Sequence, residues 1–170
     1  MQLPRKGSGF TIVELLIVIV IIGILAAITT VAYNGIQDRA RQAKIKTDLS
    51  TIAQAISLAE LNSSQRLRTI TGVTPGTSTD GCTGKPDGTK IENLSRTTDP
   101  CWTKYNQSMS NISAASGVSV ANILDPYGRP YLIYEQVDPC TGSKNWIGAM
   151  VYPYNDRNID NYTELNSSSC

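Results

Sequence analysis

The sequence has no histidine, a single phenylalanine and no Cys-x-x-Cys pair among its 170 residues. Histidine is the usual general base near neutral pH and the commonest metal ligand. Its absence excludes His-dependent serine and cysteine hydrolases and most catalytic zinc sites. Without Cys-x-x-Cys, neither a zinc ribbon nor a thioredoxin-type redox centre is supported. An excess of one charge is missing too: 15 Lys and Arg stand against 14 Asp and Glu, a formal net charge of +1. That balance gives no broad basic surface for nucleic acid. No glycine-rich phosphate loop and no carboxylate pair placed for acid–base chemistry can be found. The expectation is a chain that is not an enzyme and needs no cofactor or metal.

What the chain has is apolar residues, spread very unevenly. Of its 39 Ile, Leu and Val residues, 14 fall within the 23 residues Phe10–Ala32, which also hold the one Phe. As a helix this run measures roughly 34 Å, enough to cross a hydrocarbon layer of about 30 Å. Only Glu14 interrupts it with charge. A secretory signal would use Arg5 and Lys6 followed by the apolar stretch Leu15–Ile28, and a plain anchor would use the whole run. Neither has a use for Glu14, which costs about 2.5–3.5 kcal/mol at the centre of a membrane helix and less near an end.

The carboxylate is explained by a resemblance. Lys6-Gly7-Ser8-Gly9-Phe10-Thr11-Ile12-Val13-Glu14-Leu15-Leu16 resembles the signature of type IV prepilins, shared by the pseudopilins of type II secretion and DNA-uptake systems. The resemblance implies cleavage by a prepilin peptidase between Gly9 and Phe10, N-methylation of Phe10, and a role for Glu14 in assembly by pairing with the freed amine of a neighbouring subunit. Cutting instead after Gly7 would put Glu14 out of register. Gly23 also falls where many members have glycine, whereas Val31 stands where many have proline. The implied product is the structural subunit of a pilus-like fibre or, alternatively, a pseudopilin of a secretion or DNA-uptake system. A membrane-anchored surface binding protein or enzyme is the reading from another class. Implied partners are further pilin-like copies, prepilin peptidase, a membrane platform with its assembly ATPase, and the cytoplasmic membrane. The implied location is a single-pass membrane protein that becomes an extracellular or periplasmic fibre. The residues themselves give no support for DNA binding.

After Ala32 no helix stop occurs until about Asn62. Ile45, Leu49, Ile52 and Ile56 recur at spacings of four, three and four, with Leu58 and Leu61 alongside, which predicts an amphipathic continuation of the helix. Leu67–Lys90 is rich in Thr, Gly, Asp and Pro and reads as loop with a short helix near Leu67. A second short helix is expected in Trp102–Ile112. Strands are expected at Tyr131–Val137, Asn145–Tyr154 and Tyr162–Leu165, with a turn from Asp138 to Lys144 between the first two. Asp125-Pro126-Tyr127-Gly128-Arg129-Pro130-Tyr131 resembles the turn before the first strand of major pseudopilins. The predicted fold is α+β: a long N-terminal helix packed on a small antiparallel sheet, the pilin-like lollipop. Its parts are a leader (1–9), a membrane or fibre-core helix (10–32), its amphipathic continuation (33–61) and a small head (62–170).

Cys82, Cys101, Cys140 and Cys170 are even in number in a polar domain that the resemblance places outside the cell, which points to two disulfides. Four cysteines allow three connectivities. The pairing Cys82–Cys101 would close the polar loop, and Cys140–Cys170 resembles the C-terminal disulfide loop of many pilins. Asp156–Asn161 carries oxygen side chains at alternate positions but lacks an EF-hand's glycine and final glutamate, so it is read as polar loop and not as a calcium site. Arg39, Arg41, Lys44 and Lys46 outnumber Arg5 and Lys6, and positive-inside counting alone would put the C-terminal side in the cytoplasm. The cysteines and the resemblance imply the opposite.

Overall fold

The computed structural model describes residues 10–72, 82, 84–138, 142–150 and 159–164, with backbone only at 30–32, 34, 136–138, 142–144 and 159–164. The chain divides into two units, Met1–Arg41 and Gln42–Cys170. One continuous helix, α1 (Ile12–Ser63), contributes to both. It is followed by α2 (Leu67–Thr71), a single 3₁₀ turn (Ile91–Asn93), α3 (Pro100–Ser116) and the strands β1 (Leu132–Asp138), β2 (Gly142–Met150) and β3 (Ile159–Glu164). The strands form one antiparallel sheet in the order β1-β2-β3, with Ile133 opposite Ile147 and Trp146 opposite Glu164. The β1–β2 ladder extends to Asp138 opposite Gly142, so pairing runs into the stretch expected to be turn.

The core of the second unit is built around the amphipathic part of α1. Ile45, Leu49, Ile52, Ala55, Ile56 and Ala59 are buried against Tyr105, Met109 and Ile112 of α3, Ile133 of β1 and Ile147 and Ala149 of β2. Leu58 and Leu61 do not join them and are 40% and 75% exposed. At about 100° per residue Leu61 lies some 160° round the helix from Ile45, which places it on the opposite side. The sequence expectation that both flank the stripe is corrected accordingly. A second, smaller cluster joins Cys82, Ile91, Cys101 and Met150, with Leu132 and Leu94 packed on it.

Local chemistry fixes the ends of the elements. Asp99 caps α3 by accepting from the Cys101 amide at 2.9 Å, Pro100 occupies the first turn, and Gly117 ends the helix at φ +75°. α3 is longer at both ends than expected. Before β1, the Gly128 amide donates to the Asp125 carbonyl at 2.9 Å, closing a turn with Pro126 second and Gly128 fourth. Asp125 and Arg129 are fully buried there. The Arg129 Nε donates to Asp125 Oδ2 at 2.8 Å, and a second guanidinium nitrogen donates to the Met150 carbonyl at 2.6 Å. That fork fastens the turn to the end of β2, and burial of a charge pair is tolerated because its donors and acceptors are matched. Tyr131 donates to Asp48 Oδ2 at 2.7 Å and Tyr105 donates to the Ile123 carbonyl, tying the same region to α1 and α3.

Candidate functional site

The candidate site is the N-terminal end of α1. From Ile12 to Ile28 every large apolar side chain is more than half exposed, and Phe10 is 86% exposed. Ile12–Thr29 is long and apolar enough to cross a membrane, and none of it is covered by the chain itself. In water each such side chain forgoes about 1.5–3 kcal/mol of burial, so this surface requires lipid or protein from outside.

At the start of this helix Thr11 and Glu14 form a reciprocal cap. The Glu14 amide donates to Thr11 Oγ1 at 3.2 Å, while the Thr11 amide and hydroxyl donate to Glu14 Oε2 at 2.9 and 2.8 Å. The Leu15 amide donates to the Thr11 carbonyl at 3.3 Å, the first i to i−4 bond of the helix. This is a Thr-x-x-Glu capping box, in which two otherwise orphaned amides are satisfied by side chains. Glu14, for which a secretory signal or a plain anchor offers no use, thus has one in capping the first turn of its own helix. The signal was present in the sequence, since Thr11 precedes Glu14 by three residues immediately before an apolar run. Both bonds fall on Oε2, so the carboxylate serves the cap through one oxygen.

Further along, Thr29 Oγ1 donates back to the Leu25 and Ala26 carbonyls at 2.7 and 3.1 Å, which lets a hydroxyl sit in an apolar helix without an unmet donor. Gly23 has open space around it.

Of the other sequence-predicted residues, Gly9, Cys140 and Cys170 lie outside the described residues. Cys82 and Cys101 are joined in a disulfide, and both are buried. Positions 156–158 of the considered calcium stretch lie outside the described residues, and Asp160 and Asn161 fall in β3. Among the described residues no group of three His, Cys, Asp or Glu could hold a metal ion. Sequence reading did not single out Asp125 and Arg129 as a buried pair, because two charges in a Pro-Gly turn ordinarily face solvent.

An exposed apolar helix headed by a capped glutamate, followed by an amphipathic half that packs on a small antiparallel sheet, defines the class. The chain has a pilin-like fold, and its N-terminal part is similar to those of type IV pilins and pseudopilins. Residues 4–30 match the prokaryotic N-terminal methylation motif. Over 64 residues the chain is 36% identical to the type II secretion system core protein G of Vibrio cholerae, covering 38% of this chain and 44% of that one. It is 41% identical over 54 residues to the type IV narrow pilus major component PilA5 of Thermus thermophilus, covering 32% and 47%. Against the type IV major pilin protein PilA of Myxococcus xanthus it is 44% identical over 50 residues, covering 29% and 23%. The chain thus spans less than half the length of each of these relatives. No solved structure matches it.

Proposed function

We propose that the chain is the structural subunit of a type IV pilus-like fibre, cut by a prepilin peptidase between Gly9 and Phe10, N-methylated at Phe10 and assembled through α1. The observation that carries this is the pairing of a methylation motif with an apolar helix surface that the chain leaves uncovered from Ile12 to Thr29. Lipid covers that surface before assembly and neighbouring copies cover it afterwards. Little hydrophobic energy separates those two states, so close packing and polar contacts select the geometry. Glu14 supplies one such contact: its carboxylate accepts the methylated amine of Phe10 from a neighbouring subunit while the cap engages Oε2. Prepilin peptidase, a membrane platform and an assembly ATPase are the partners this role requires, and the second unit is exposed outside the cytoplasmic membrane.

A second reading, a pseudopilin working in type II secretion, is favoured by the relatives named core protein G and by the Asp125–Tyr131 turn. Both readings share the same processing. N-terminal mass spectrometry of material sheared from cells should find a chain that begins with methylated Phe10. A start at Tyr33, as cleavage of a secretory signal after Thr30-Val31-Ala32 would give, or an intact Met1, refutes both. Glu14→Ala is expected to leave cleavage intact and abolish fibres, and normal fibres from this variant would refute the pairing role.

A further inference from the structure

The sheet buries a different cluster on each of its faces. Successive residues of a strand point to opposite sides, so Ile133 and Leu132, like Ala149 and Met150, face different neighbours. Ile133, Ile147 and Ala149 belong to the main core with α1 and α3. Leu132 and Met150 belong to the smaller cluster, whose four buried residues include both cysteines of the Cys82–Cys101 disulfide. Two residues further along β1, Tyr134 points to the same side as Leu132 and is 42% exposed, so the cover over this second face stops there.

The cover is the segment 84–99. Its only regular element is the 3₁₀ turn Ile91–Asn93, and several of its amides donate within the segment itself: Asn93 to the Lys90 carbonyl at 3.0 Å, Leu94 to that of Ile91 at 3.2 Å and Asp99 to that of Ser95 at 3.0 Å. Its polar ties to the rest of the head run to α3, where Trp102 Nε1 donates to the Ile91 carbonyl at 2.9 Å and Asn106 Nδ2 to that of Arg96 at 3.2 Å. It meets the sheet in the apolar cluster that joins Ile91 and Leu94 to Leu132 and Met150. The neck of the segment is closed by the disulfide, whose cysteines stand 19 positions apart, and just inside it by the Lys85–Asp99 pair at 3.0 Å.

We propose that the Cys82–Cys101 disulfide makes the segment 84–99 a redox-dependent flap, sealed on the second face of the sheet when oxidised and opening locally as the dithiol to bare Leu132 and Met150. Closing a loop of this length shifts the balance between ordered and open chain about a hundredfold. The main core contains neither cysteine, so it stays folded when the flap opens. Closure is thiol–disulfide exchange with an oxidised dithiol partner: the two thiols of Cys82 and Cys101 become one disulfide, and their two protons and two electrons pass to the partner's disulfide, which leaves as two thiols. Reduction runs the same exchange backwards. The head therefore reaches its closed form only where such an oxidant is present, whichever assembly the N-terminal helix serves.

The test is hydrogen exchange read by mass spectrometry on the full-length chain in detergent, comparing wild type with the double variant Cys82→Ala, Cys101→Ala, which leaves Cys140 and Cys170 in place. Amides of the flap, Asn93, Leu94 and Asp99 among them, are expected to exchange about a hundredfold faster in the variant, while those from Ile45 to Ala59 stay within about threefold of wild type. Wild type held in excess dithiothreitol repeats the measurement with native side chains and is expected to show the same pattern. Unchanged exchange across the flap would overturn the proposal. Loss of protection throughout the head in both preparations, a failure to fold included, would overturn it as well, because the disulfide would then hold the whole head and not a flap.

Discussion

The two parts of α1 share one helical backbone and differ in what their side chains meet. From Ile12 to Ile36 the large apolar side chains that are described are more than half exposed, whereas from Ile45 to Ala59 a single stripe is buried among α3 and the sheet. The first part has apolar residues on every side, which no one-sided partner can cover. The second gathers most of them on the side that its own head covers, with Leu58 and Leu61 off it. One helix thus carries two stabilities: the second part is held by the fold, and the first depends on whatever surrounds it.

The largest expected effect tests how the head holds itself together. Arg129→Ala leaves Asp125 buried without its counter-charge, which typically costs 3–5 kcal/mol. Thermal or denaturant unfolding of the full chain in detergent should show that loss in the head signal, with α1 still partitioning into the micelle. Substitution along α1 tests the contrast directly. Ile52→Ala removes a fully buried side chain and should lower head stability by about 2–5 kcal/mol. Ile19→Ala should leave the head within about 0.5 kcal/mol of wild type. Equal effects from these two variants would break the comparison.

Alkaline pH offers a third measurement. Burial pushes the Tyr105 phenol well above its ordinary range, and burial together with the hydrogen bond to Asp48 does the same for Tyr131. In the unfolded chain both ionise near pH 10, while in the fold both keep their protons. The folded state then binds more protons than the unfolded one, so stability is intact below about pH 10 and falls above it. Each tyrosine should contribute about 1.4 kcal/mol per pH unit. Tyr131→Phe should roughly halve that slope in unfolding curves taken between pH 9 and pH 12. The smallest effect is expected at Leu61, whose side chain lies off the buried stripe: Leu61→Ser should change head stability by less than about 0.5 kcal/mol.

These contrasts also mark which features the sequence disclosed. The apolar run and the four-three-four spacing of Ile45, Leu49, Ile52 and Ile56 state their own environment, because periodicity is a local property of the chain. The strands were legible for the same reason, with alternation placing Ile133 and Ile147 inward. Leu58 and Leu61 are apolar but lie at an angle around the helix that takes them off the stripe, which composition alone does not disclose. Asp125 and Arg129 could not be read as buried, since their setting depends on the Met150 carbonyl 21 residues away from Arg129. At the candidate site the motif residues were plain, but the cap was hidden in view. Glu14 stands out first as a charge in a membrane segment, and only its spacing from Thr11 discloses the cap.

That cap also works as a punctuation mark in the chain. By engaging the Thr11 and Glu14 amides it sets the first helical residue at Ile12 and leaves Phe10 outside the helix. A protease reads extended backbone, whose carbonyls and amides are free to bind the enzyme, and an α-helix withholds both. Helical winding that crept two residues toward the N-terminus would draw Phe10 into the first turn and shield the bond before it. Thr11 and Glu14 therefore hold Phe10 just short of the point where the chain coils.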